Sequence, residues 1–124
     1  MATVELTAAD FESTVTEKPI VFVDFWASWC GPCRAFAPVF ERSSQAHPDV
    51  LHAKVNTEVE QQLAAALQIR SIPTIMAFRD GILVFSQPGA LPAPALEELL
   101  TKIKELDMDA VRAEIAARTE TADA

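Results

Sequence analysis

Cysteine is scarce in this chain: two residues in 124, both inside the run Trp29-Cys30-Gly31-Pro32-Cys33-Arg34. With half its residues apolar and 23% charged, the chain can bury about two thirds of its unfolded surface. It therefore needs no disulfide framework, and a cysteine pair reads as chemistry rather than scaffold. Basic residues are outnumbered, 10 against 18 acids, for a net charge of -8, and they cluster nowhere. That argues against a nucleic-acid backbone or an anionic membrane as partner. No apolar run approaches the roughly 20 residues of a membrane span. Met1 to Asp10 carries acids and lacks a basic stretch followed by an apolar one, so no secretory signal is read there. The expected compartment is the cytoplasm, where thiols are kept largely reduced. Glycines number three, and there are no internal repeats or low-complexity linkers, which leaves a single domain.

The hydrophobic pattern supplies the elements. Thr3 to Leu6 reads as a short strand, and Thr7-Ala8-Ala9-Asp10 as a helix start with Thr7 as N-cap, closed by Pro19. Ile20 to Trp26 is apolar on both alternating faces, the mark of a strand covered on both sides, apart from one carboxylate, Asp24. Arg34 to His47 has a helical period through Phe36, Val39 and Phe40, with Pro38 as a kink. Val50 to Val55 is a strand and Val59 to Leu67 a short alanine-rich helix. Thr74 to Phe78 and Ile82 to Ser86 are strands flanking the hairpin signal Asp80-Gly81. Pro92 or Pro94 opens a helix whose apolar face is Leu96, Leu99, Leu100, Ile103 and Leu106.

This order describes an α/β sandwich: a mixed sheet with a parallel core and an antiparallel edge hairpin, flanked by helices. Residues 1–106 form the domain and 107–124 an extension, partly helical or disordered. In the extension Met108, Val111 and Ile115 are spaced for one face of a short helix, frayed from Thr119. It is read as docked or loose, with a partner-binding helix as the alternative.

A thiol reacts as its thiolate, so the chemistry turns on what lowers the pKa of Cys30. Gly31-Pro32 supplies a turn and the first helical position, which puts Cys30 at a helix N-terminus, before free backbone N–H groups and the positive dipole end. Cys33 lies one turn further in and is expected to be the more shielded. Cys30 is the expected nucleophile and Cys33 the thiol that resolves a mixed disulfide. The pair could instead be two small buried hydrophobes or half of a metal site. For the latter, the remaining soft ligands, His47 and His52, lie roughly 20 Å away by helix rise. A carboxylate within a covered strand must be paired or protonated, so Asp24 is read as a proton acceptor and donor near Cys33, acting through water. Lys54 on the adjacent strand is its expected cationic partner.

Together these residues resemble the thioredoxin family. Val23-Asp24-Phe25-Trp26-Ala27, Trp29-Cys30-Gly31-Pro32-Cys33-Arg34 and Ala37-Pro38 match its active-site strand and kinked helix, and Lys54-Val55-Asn56 matches its third strand. Arg70-Ser71-Ile72-Pro73-Thr74 matches its proline loop, and Phe78, Gly81 and Gly89-Ala90 fall where the family has them. The match spans about residues 3 to 106. The resemblance implies a thioredoxin fold and a cis Pro73 lying against the disulfide. It also implies strand-like pairing of the Ile72 backbone with substrate, and an apolar rim of Trp29, Gly31, Pro32, Ile72, Gly89 and Ala90 around Cys30. Glu58 stands where many relatives carry Asp, a change of no expected consequence. Gln87-Pro88 before Gly89 is a further departure, in the loop expected to face substrate.

The function implied is reduction of disulfides in other proteins by a monomer that holds no cofactor itself. An NADPH-linked, flavin-dependent thioredoxin reductase would restore its dithiol. A thiol oxidase or isomerase is the alternative within the fold, and a non-catalytic binding subunit the alternative outside catalysis.

Overall fold

The computed structural model describes residues 2–123, with side chains as far as Thr119. Strand β1 (Thr3–Glu5) leads to helix α1 (Ala8–Glu17), whose start is held by the Asp10 carboxylate. That carboxylate accepts from both the N–H (2.7 Å) and the hydroxyl (3.1 Å) of Thr7, the N-cap read from the sequence. Then follow β2 (Ile20–Trp26), α2 (Gly31–Ala46), β3 (Leu51–Asn56), α3 (Gln61–Ala66), β4 (Thr74–Arg79), β5 (Ile82–Pro88), α4 (Ala93–Lys104) and α5 (Met108–Asp123). Asp80 and Gly81, with φ of 53° and 80°, make the β4–β5 turn; two consecutive left-handed residues match the twist of a hairpin.

The five strands are ordered β1-β3-β2-β4-β5. β1 and β2 both run parallel to β3, while β4 runs antiparallel to β2 and to β5. The antiparallel part thus begins at β2–β4, one strand nearer the centre than the hairpin itself, because the chain enters β4 reversed after α3.

Strand alternation on β2 divides the core in two. Val21, Val23 and Phe25 pack with Phe11 and Val15 of α1, and Leu63 of α3 packs against that cluster. Phe22 points the other way, into Phe36 and Phe40 of α2 and Leu96, Leu100 and Ile103 of α4. Each large apolar side chain so buried contributes about 1.5–3 kcal/mol. Asp24 shares the parity of Phe22, so it faces the α2 side.

His52 of β3 is, with Asp24 of β2, a fully buried polar residue. It lies between Phe22 and Phe40, with Nε2 2.9 Å from Ser43 Oγ and Nδ1 3.0 Å from the Val50 carbonyl. Burial holds its pKa below the usual histidine value, the bond to Val50 opposing. Both nitrogens being engaged, it is a core residue.

Arg79 at the end of β4 donates to the carbonyls of Ile103, Lys104 and Leu106 at 2.8–3.1 Å, satisfying the open C-terminus of α4. α5 then docks at its start through buried Met108 and an Arg112–Asp80 ion pair of 3.1 Å. Val111 and Ile115 face Ile82, Leu83 and Val84 of edge strand β5 across a shallow groove. α5 continues to Asp123. Its alanines and the pairs Arg112–Asp109 and Arg118–Glu114 favour the helix locally.

Candidate active site

Beyond β2 the chain passes through buried Ala27, exposed Ser28 and Trp29, and reaches Cys30, the N-cap of α2. Pro32 occupies the first turn, where its missing N–H costs nothing. The Cys33 N–H donates to Cys30 Sγ at 3.2 Å, so the sulfur takes the place of an oxygen N-cap. In a thiolate that bond and the helix dipole would both favour the charge. Here the two cysteines form a disulfide, with Cα atoms 5.2 Å apart. Exposure does not separate them as expected: Cys30 is 4% and Cys33 2% exposed. Position does, because Cys30 lines the surface groove and Cys33 does not.

That groove encloses about 420 Å³. Trp29, Cys30, Gly31 and Pro32 line one side, Thr57 and Ile69 to Ile72 the other. Trp29 is 69% exposed, while Trp26 is half-buried against the cysteines. The Ile72–Pro73 peptide is cis, and the Ile72 carbonyl lies 3.7 Å from Cys30 Sγ. Pro73, Gly89 and Ala90 do not line the groove, but the Gly89 N–H donates to the Pro73 carbonyl at 2.7 Å. Gly89 has φ of 102°, which favours glycine there. Gln87 and Pro88 belong to β5 rather than to a loop, and a proline is tolerated at the end of an edge strand.

Asp24 is fully buried, and neither carboxylate oxygen has a hydrogen-bond partner from the protein. Its pKa is pushed up to about 7, chiefly by burial; Lys54 pulls it down and Glu5 pushes it further up. Lys54 is directly across from Asp24 in the register, yet its Nζ rests 4.8 Å from the centre of the Trp26 ring, a cation–π contact.

The sequence reading passed over one acid and gave a second, Glu58, no expected consequence. Glu5 faces Lys54 from β1. Glu58 Oε1 accepts from the N–H (2.8 Å) and the hydroxyl (2.6 Å) of Ser28, while Arg34 Nη1 donates to the Ser28 carbonyl at 2.9 Å. Glu58 thus ties the residue before Trp29 to the turn carrying Thr57. The only signal for it was the Glu itself. Glu58→Ala should raise KM for a protein disulfide about two- to tenfold, the worth of one or two ordinary hydrogen bonds, and leave reduction of a small disulfide unchanged. Kinetics on both substrates check this; equal effects on the two would place Glu58 in the chemistry instead.

A helix-capping cysteine pair, opening on an apolar groove and backed by a buried acid, defines a dithiol–disulfide oxidoreductase built on an α/β sandwich. The Thioredoxin family model matches residues 2–105. A Streptomyces coelicolor relative that bears a thioredoxin name is 50% identical over 115 residues, covering 93% of this chain and 86% of its own. Thioredoxin 1 of Synechococcus elongatus is 46% identical over 99 residues, 78% of this chain and 92% of its own. Among solved structures, a thioredoxin variant from Halobacterium salinarum superposes with a TM-score of 0.78 at 30% identity, covering 84% of this chain and 92% of that one. The chain belongs to the thioredoxin family, and it is a protein-disulfide reductase that acts by dithiol–disulfide exchange.

Proposed function

We propose that Cys30 is the attacking thiol and Cys33 the resolving one. The observation that carries this is the Cys30 sulfur at the N-terminus of α2, accepting the Cys33 N–H while lining the groove. Cys30 thiolate attacks one sulfur of a substrate disulfide; a mixed disulfide forms and the other substrate sulfur leaves as thiolate. Cys33 gives its proton to Asp24 and attacks Cys30 Sγ, releasing the second substrate thiolate. Two electrons have then passed to substrate, and the Cys30–Cys33 disulfide remains. Lys54 tempers the charge that Asp24 acquires.

Trp29, Gly31, Pro32 and Ile72 form the face on which substrate lies, with Pro73, Gly89 and Ala90 shaping its far end. The groove walls are mostly apolar and backbone, which suits many disulfide-bearing segments rather than one. Family membership implies a thioredoxin reductase and disulfide substrates as partners. The NADPH-linked reductase, a monomeric state and a reducing cytoplasm are our reading of the conditions in which the dithiol is the resting form. Among the described residues no helix is long and apolar enough to cross a membrane. We also take residues 1–106 as the functional domain and 107–124 as an appendage outside the chemistry.

Equilibration of the Cys30–Cys33 pair with a thiol–disulfide buffer tests the direction of flow. A potential at or below about -250 mV, the range known for thioredoxin itself, is expected of a reductant. A value above about -200 mV would make the protein an oxidant or isomerase instead.

A further inference from the structure

Three charged residues form one row across β1, β3 and β2: Glu5 faces Lys54, and Lys54 faces Asp24. Register partners in parallel strands point to the same side, so all three project toward the face covered by α2. One lysine thus stands between two carboxylates. Asp24 accepts no hydrogen bond from it, and its ammonium rests instead on the Trp26 ring. The next positions in the row, Ile75 of β4 and Gln87 of β5, carry no charge.

The neighbouring titratable groups are otherwise engaged. Glu41 of α2 accepts from the Ala2 N–H and the Thr3 hydroxyl at 2.9 Å, and Glu60 accepts from the Ala8 N–H at 2.7 Å. Cys33, on the α2 side, titrates only when the disulfide is open. Glu5, at the open edge of the sheet, has no part in the exchange steps above.

We propose that Glu5 tunes Asp24: its charge, acting along the row on Asp24 and on the Lys54 ammonium that stands between them, governs how readily Asp24 takes up and gives up a proton. Partial desolvation holds the Glu5 carboxyl above its usual range, with Lys54 and Trp26 opposing. A like charge two strand spacings away, about 10 Å, moves a titration midpoint by about 0.3 to 1 pH unit over the plausible range of dielectric. This inference rests on Asp24 as the proton acceptor only for its catalytic consequence.

The test is a carbon-13 NMR titration of the Asp24 carboxyl in the oxidised protein, where neither cysteine titrates, for the parent, Glu5→Gln and Glu5→Asp. Exchange rates of the reduced proteins are measured over the same pH range. Glu5→Gln should lower the Asp24 midpoint by that amount and carry the pH–rate profile with it, while Glu5→Asp, which keeps the charge, stays near the parent. A midpoint unmoved by Glu5→Gln, or moved equally by Glu5→Asp, overturns the proposal. A moved midpoint with an unmoved rate profile upholds the coupling and overturns instead the proton-accepting role of Asp24.

Discussion

Asp24→Asn should be the more stable protein at pH 7, by up to about 4 kcal/mol, and should lose that advantage in acid. The carboxyl is fully buried, without a hydrogen-bond partner from the protein, and its folded pKa of about 7 stands above the ordinary value of 3.8. Between those two values the folded state holds a proton that the unfolded state has released, so stability falls as pH rises from 3.8 to about 7. Above both, the penalty is complete. The interval, at about 1.4 kcal/mol per pH unit, gives the figure of about 4 kcal/mol.

Asparagine removes the charge and keeps the shape, so the two proteins should converge below pH 4. His52 has the opposite slope: its folded pKa is lowered by burial, so its stability is whole above about 6.5 and is lost as pH falls below that. It is common to both proteins and cancels in the difference. Denaturant unfolding of the pair at pH 3.5 and at pH 7 measures the effect. Equal stabilities at pH 7 would mean that the Asp24 carboxyl is hydrated and titrates normally.

Exchange of either cysteine for serine should have the largest effect on turnover, and the two variants should fail differently. Cys30→Ser removes the sulfur that lines the groove and should leave only the uncatalysed rate of thiol exchange. Cys33→Ser keeps that sulfur and its N-cap position, so attack should proceed once and stop at a mixed disulfide. Non-reducing electrophoresis after mixing with a disulfide-bearing protein reads the difference: a covalent adduct through Cys30 in the second variant and none in the first. Adducts formed equally by both would reverse or abolish the assignment. Both sulfurs are almost equally buried, so the expected asymmetry comes from the helix end and the groove, not from access to water.

The short-range parts of this site were legible because their causes are short-range. Gly31-Pro32 between two cysteines specifies a helix start, and Cys30 is the N-cap. An apolar run with one acid specifies a covered strand with a buried carboxyl, and Asp24 is fully buried. Thr7 with Asp10 closes α1, and Asp80-Gly81 turns the hairpin. The helix over Val59 to Leu67 is shorter than its composition suggests: it begins at Gln61 and leaves Val59 71% exposed. There the Val59 and Glu60 N–H groups both donate to the Asn56 carbonyl in the turn that precedes the helix.

By itself, the order of residues determined which side chains could react, the order and kind of the helices and strands, and that one carboxylate would be trapped in a covered strand. All of these follow from interactions within a few positions along the chain. Only the tertiary structure decided that Glu5, 49 positions from Lys54 in sequence, would face it, and that Glu58 would reach back to Ser28. The order β1-β3-β2 and its register come from burying two whole faces of the sheet at once. A one-residue slip would turn Glu5 and Lys54 to opposite faces without changing a single local preference.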